Sequence, residues 1–209
     1  MKRNIDIAEI SDGKRYKAHD MVKADCLGCK GCCDCCKGMG KSIVLDPYDA
    51  WHLSKGLGVP FAALIDQYVE LSVVDGIILP NLLMKGETEQ CGFLNIEGRC
   101  QIHNFRPGIC RLFPLGRIYE EDGFSYFLQV HECIKPHAKI KVEKWVDIPN
   151  YSQYEKFVLD WHTYLNAIQD ELLRMTEEEQ KATCIQLLKK FYLMPYETED
   201  FYSEYYGRK

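Results

Sequence analysis

Residues 24–41 read ADCLGCKGCCDCCKGMGK and place six cysteines, Cys26, Cys29, Cys32, Cys33, Cys35 and Cys36, within eleven positions. A packed core has no need of that density, because a cysteine there is only a small hydrophobe. Bridging explains it poorly as well. Cys32–Cys33 and Cys35–Cys36 are chain neighbours, whereas a disulfide wants Cα atoms roughly 4.4–6.8 Å apart with a defined torsion. The total of eleven cysteines is also odd. Thiolates are soft ligands suited to zinc, copper(I) and iron–sulfur clusters. Cys-x2-Cys is the spacing at which a tight turn aims two sulfurs at one centre, and Cys26, Cys29, Cys32 and Cys35 repeat it three times. Side chains of adjacent residues diverge, so if both Cys35 and Cys36 ligate, a cluster or a pair of metals is favoured over one tetrahedral zinc. If only one ligates, zinc fits.

The remainder of the 209 residues is ordinary by comparison. The chain is 46% hydrophobic and 27% charged with a net charge of −5, the balance of a soluble globular protein. No run of Lys and Arg forms a nucleic-acid footprint. No apolar stretch approaches the length that a membrane span needs, and the opening MKRNIDIAEISDGKRYKAHD lacks the apolar centre of a secretory signal. The expectation is a cytoplasmic protein with no nucleic-acid or membrane partner, in a compartment that keeps thiols reduced.

Around the cysteines the pattern predicts short elements. Residues 1–23 read as a polar, irregular leader. Ser42–Leu45 reads as a strand, and Asp46 as the cap of a helix with Pro47 at its first position and Gly56 or Gly58 at its end. A second helix is expected from Pro60, with Phe61, Leu64, Ile65 and Val69 at helical spacing, then a short strand broken by Pro80. Cys91–Leu94 and Arg99–His103 flank a turn at Asn95–Gly98, and residues 116–130 read as a stronger hairpin about the EDG turn. From Tyr151 a helical stripe runs through Tyr154, Phe157, Val158, Trp161, Tyr164, Leu165, Ile168 and Leu172. Thr176 and Glu179 then form a capping box for a last helix with Ile185, Leu188, Phe191 and Tyr192 inward. The fold class is α+β: a leader at 1–23, a cysteine-rich metal-binding domain with short strands, hairpins and helices at 24–147, a helical pair covering it at 148–194, and an acidic aromatic tail at 195–209.

A second set of cysteines, Cys91, Cys100, Cys110 and Cys133, would complete the first site, form another, or serve as buried structural thiols. Cys184 falls on the inward side of the last helix and reads as core. The motifs also carry a likeness. CKGCCDCC, Cys29–Cys36, resembles the CxxCxxCC signature of the YkgJ family of cysteine cluster proteins. CGFLNIEGRCQIHNFRPGICRLFPLG, Cys91–Gly116, is similar to that family's second block. The resemblance implies a zinc- or iron-chelating domain with Cys29, Cys32, Cys35, Cys36, Cys91, Cys100 and Cys110 as ligands and Cys133 as an eighth. Cys26 and Cys33 are extra to the signature and are candidates for additional ligands.

His103, Arg106 and Arg111 flank the second block and are candidates for a supporting shell: an imidazole hydrogen-bonding a ligand, and guanidiniums offsetting thiolate charge. An iron–sulfur cluster is the first expectation for the cofactor and zinc the second. The iron–sulfur expectation carries a redox or catalytic role, and relatives of the family include flagellin lysine methylases, which implies modification of a protein substrate or partner. The other expectation is a non-catalytic zinc module that binds a partner.

Overall fold

The computed structural model describes residues 6–26, 32–133 and 138–209. It begins with a single helical turn, α1 (Ile7–Ile10), capped by the Asp6 carboxylate, which accepts the Ala8 N–H at 2.8 Å. β1 (Met21–Asp25) follows, and buries Val22 and Ala24 on one face. The expected irregular leader is therefore folded from Asp6 onward. Tyr16 exchanges backbone hydrogen bonds with Tyr126 at 2.8 and 2.9 Å, and Ser11 bridges Gln129. Only two buried apolar residues mark β1, and its partner lies more than a hundred residues away, so composition conceals it.

α2 (Pro47–Leu57) starts and stops as its caps predict. Asp46 and Asp49 form a reciprocal capping box, and Gly58 closes the helix at φ +68°. The expected second helix is absent. Phe61–Leu64 makes one 3-10 turn, Asp66 leaves it at φ +67°, and Val69–Val74 forms β2. The helical spacing ran over little more than two turns and counted Val69, which opens the strand, while VELSVV alternates and is rich in β-branched residues, which favours a strand. β2 pairs antiparallel with β3 (Ile77–Leu82) from Val69↔Leu82 to Val74↔Ile77. Ile43–Leu45 lies along the other edge of β3 through the bonds Leu45 N–H to Pro80 O and Leu82 N–H to Ile43 O.

β4 (Met84–Lys85) and β5 (Gln90–Cys91) make a two-residue ladder. α3 (Gly108–Leu112) follows, then β6 (Leu115–Glu120) and β7 (Gly123–Leu128) pair across the expected tight turn. β8 (Ala138–Lys141) returns to pair with β1 and leads into α4 (Val142–Val146). The described strands form four separate two-stranded antiparallel sheets.

α5 (Tyr151–Leu172) buries Tyr154, Phe157, Val158, Trp161 and Leu172. α6 (Glu177–Leu188) has the Thr176–Glu179 capping box. Its inward side is Cys184, Leu187 and Leu188, and Ile185 is 40% exposed, against expectation. A π-helical turn at Lys189–Leu193 widens the helix and keeps Phe191 and Tyr192 buried. The acidic tail does not project. It forms α7 (Phe201–Arg208), with Phe201 and Tyr205 fully buried and the Arg208 guanidinium donating to the carbonyls of Lys190, Met194 and Pro195. One hydrophobic core takes residues from β1, α2, β3, α5, α6 and α7. Among the described residues no helix is long and apolar enough to cross a membrane.

Candidate metal centre

Five cysteines that lie as much as 75 positions apart act on one another electrostatically: Cys35, Cys36, Cys91, Cys100 and Cys110. Backbone pairing brings them together. Cys35 and Cys36 lie in a 3-10 turn, Asp34–Cys36. The chain leaving that turn bridges Lys37 to Gln90, and the Gly38 N–H donates to Glu89 O at 3.0 Å. Cys36 is thereby laid alongside β5, which ends in Cys91. The turn after β5 is closed by Asn95, whose side chain accepts from the N–H groups of Glu97 and Arg99 at 3.1 and 2.8 Å. That turn returns Cys100 opposite Leu94. Gly98, at φ +70°, sits at its corner, and a side chain there would meet Cys33 Sγ at 3.5 Å.

The central contact is among three sulfurs, Cys35, Cys36 and Cys100. The Cys36 thiol is hydrogen-bonded to both Cys100 and Cys35, which raises its own pKa strongly. The same bonds bring Cys35 and Cys100 down to about 7, against the opposing effect of burial and with help from the Arg106 guanidinium. The three titrate as a unit. Cys91 and Cys110 are raised, in each case chiefly by burial. Sulfurs brought together in this way are ones a soft cation would hold, displacing thiol protons as it binds. The donor set therefore fits a thiolate-bound metal. Among the described residues no three Cys, His, Asp or Glu side chains are already arranged to hold a metal ion.

The other predicted residues fall as follows. Cys29 lies outside the described residues. Cys32 directs its thiol to Asp34 Oδ2 at 3.5 Å. Cys26 is buried just beyond β1. Cys133 is half-buried against the core, and Cys184 is buried with its sulfur 4.0 Å from Gly76 O. No two of the described cysteines are joined in a disulfide. Both ring nitrogens of the exposed His103 lie within 3.1 Å of Arg106 Nη1. Burial and the neighbouring guanidiniums of Arg106, Arg111 and Arg99 hold that imidazole's pKa down. Arg111 is 5% exposed, and its guanidinium is spent on main-chain carbonyls: Nε donates to Arg106 O and Nη1 to Asp147 O, each at 3.0 Å, and Nη2 to Asn104 O.

Two residues beside the site escaped the sequence reading. Asp49, 3% exposed, accepts the Gly108 N–H at 2.7 Å through Oδ1 and the Asp46 N–H at 3.2 Å through Oδ2. Burial pushes its carboxyl up to about 6, against the pull of those hydrogen bonds and of Arg117 and Arg111. Tyr154 places its hydroxyl where a side chain on Gly108 would go, and takes a hydrogen bond from Arg117 at 3.1 Å. Asp49 carried only the signal of a helix N3 position, and Tyr154 only that of a helical stripe.

A family model, described as CxxCxxCC: Putative zinc- or iron-chelating domain, matches residues 26–134, just over half of the chain. It starts at the first cysteine of the cluster and ends beyond Cys133. No curated protein and no solved structure matches.

Proposed function

Because the chain belongs to the CxxCxxCC family of zinc- or iron-chelating domains, we propose that it carries a polynuclear thiolate centre, an iron–sulfur cluster, in a redox or protein-modifying role. The observation that carries this reading is a network of interactions, Cys36 with Cys35 and Cys100, and Cys91 and Cys110 with Cys35 and Cys100. Five thiols exceed the four that one tetrahedral ion accepts. The neighbours Cys35 and Cys36 are both in contact within this group, which supports a cluster over a single zinc. Cys29, Cys32 and Cys133 are the further ligands we assign, with Cys26 and Cys33 as additional thiols.

A cluster held there would supply one-electron chemistry, its potential set by charge and hydrogen bonds around the sulfurs. The chain's own residues set that environment. Arg106 places positive charge beside Cys35 and Cys100. Backbone N–H groups of Phe93 and Ile102 donate to Cys91 and Cys100, and such bonds favour the thiolate form. The partner we assign is a protein, with neither nucleic acid nor membrane involved. That assignment rests on the likeness to the methylase relatives and on the acidic net charge of −5.

The test is elemental analysis of iron, zinc and acid-labile sulfide, with a visible spectrum, on protein purified without oxygen. Iron and sulfide in matching amounts with broad visible absorption are expected. Stoichiometric zinc in a colourless protein would overturn the iron–sulfur reading in favour of a zinc-held interaction module. Cys35→Ser should lose metal and melt lower. Full metal content with an unchanged melt would remove Cys35 from the centre.

A further inference from the structure

We propose that Asp49 and Arg111 are positioning residues that hold the Cys110 turn in its ligating place before metal arrives. The inference rests on the reading of Cys110 as a ligand. α3, which carries Cys110, has five residues and no side-chain cap of its own at Pro107. A helix that short does not hold itself, because nucleation is unfavourable and packing must supply the stability. Its supports come from elsewhere in the chain.

Asp49 reaches across from α2 and takes the Gly108 N–H at 2.7 Å, while its other oxygen is fixed by the Asp46 N–H at 3.2 Å. A carboxylate held at both oxygens cannot swing away. Gly108 is a glycine for a steric reason, since the Tyr154 hydroxyl occupies the space of a side chain. At the other end of the turn, Arg111 bonds the carbonyls of Asn104, Arg106 and Asp147, and the Trp145 indole donates to Leu112 O and Phe113 O at 3.3 and 3.2 Å. Cys110 thus sits between anchored positions 108 and 111. Two buried charged groups are a costly way to stabilise one helical turn, since an apolar contact would serve stability as well or better. They do fix direction, which is what a ligand needs.

The experiment compares Asp49→Ala with Asp46→Ala in the full, metal-loaded chain. Asp46 caps the same helix, accepting the Asp49 N–H at 2.9 Å, and does not bond Gly108. Both variants should melt lower. Only Asp49→Ala should lose metal faster to EDTA, by roughly tenfold or more, the usual effect of removing a group that orients a ligand. Metal retention at the parental rate in Asp49→Ala, or equally fast loss in Asp46→Ala, would overturn the proposal.

Cys110→Ser is measured in parallel. Undiminished metal there would strike the ligand assignment itself, a separate failure. If Asp49→Ala does not fold, hydrogen exchange on the unaltered chain decides. The Gly108 amide should stay protected after metal is stripped, and fast exchange would show that metal organises the turn and Asp49 does not.

Discussion

The cysteine region and the C-terminal helices are held together by different means. Around the cysteines the elements are two to five residues long: the Asp34–Cys36 turn, β4, β5, the His103–Phe105 turn and α3. From Tyr151 onward the chain instead forms a 22-residue helix, a 12-residue helix and a docked 8-residue helix. Their shared interior is aromatic. Phe157 meets Phe201 and Tyr205 edge-on at 5.1 and 4.9 Å, and Trp161 meets Phe191 at 5.2 Å. Burial of that surface stabilises the helical part directly. Elements of two or three residues bury too little to do the same, so the cysteine region relies on long-range backbone bonds, buried charges and, when bound, metal. Metal is then expected to organise the shortest of these elements, while buried charges hold the Cys110 turn.

The largest expected effect breaks the molecule along that line. Removing metal with a chelator under reducing conditions should release amide protection around residues 32–38 and 84–106 and leave that of α5 largely intact. For small thiolate-zinc units the binding free energy is on the order of 10 kcal/mol and is folding free energy. Uniform loss of protection across both regions, followed by hydrogen exchange with mass spectrometry, would show that the two share one cooperative unit.

Phe157→Ala probes the other side. Phe157 is fully buried at the centre of the aromatic cluster, and its truncation should cost about 3–5 kcal/mol of unfolding free energy, read from denaturant melts. Metal content per folded chain should be unchanged, and a parallel loss of metal would erase the distinction between the regions.

The smallest effect sharpens the comparison at one helix end. Glu179 is held below its ordinary carboxyl value of 4.5 by the backbone and hydroxyl hydrogen bonds of Thr176. A lowered folded-state pKa stabilises the fold above 4.5, and the contribution disappears as pH falls through the lower folded value. Glu179→Gln should therefore narrow the gap in melting temperature to the parent as pH drops from 6 to 3. The position is solvent-exposed, so the gap is small. A pH-independent gap would mean that the capping box contributes through geometry and not through charge.

Much of this molecule is legible in the chain because the determinants are local. Asp46, Pro47 and Gly58 bound α2 through cap geometry within a dozen residues. Thr176 and Glu179 mark the start of α6 in the same way, and the EDG turn sets the β6–β7 register. Pattern misled where two periodicities competed over a short span, as at Phe61–Val74, and where charge masked burial. The acidic tail ETEDFYSEYYGRK carries no periodicity that marks a core, yet two of its rings fill the centre of the core, because Tyr48, Phe157 and Tyr205 surround the place where Phe201 lands. Ile185 failed as a core residue because the buried stripe runs through Cys184, Leu187, Leu188, Phe191 and Tyr192 at ordinary helical spacing, one position off the Ile185 register.

The sequence by itself determined the class of chemistry: cysteines at a density that points to thiolate-bound metal, in an α+β chain whose helix ends are written in their caps. It did so because ligand type and capping are properties of residues and their near neighbours. The tertiary structure alone decided which sulfurs meet. Cys36 faces Cys100 because Lys37 pairs with Gln90, and the turn that carries Cys110 is held by a carboxylate 59 residues away. Contacts between distant segments depend on the closure of the whole chain, and no short window of sequence carries them.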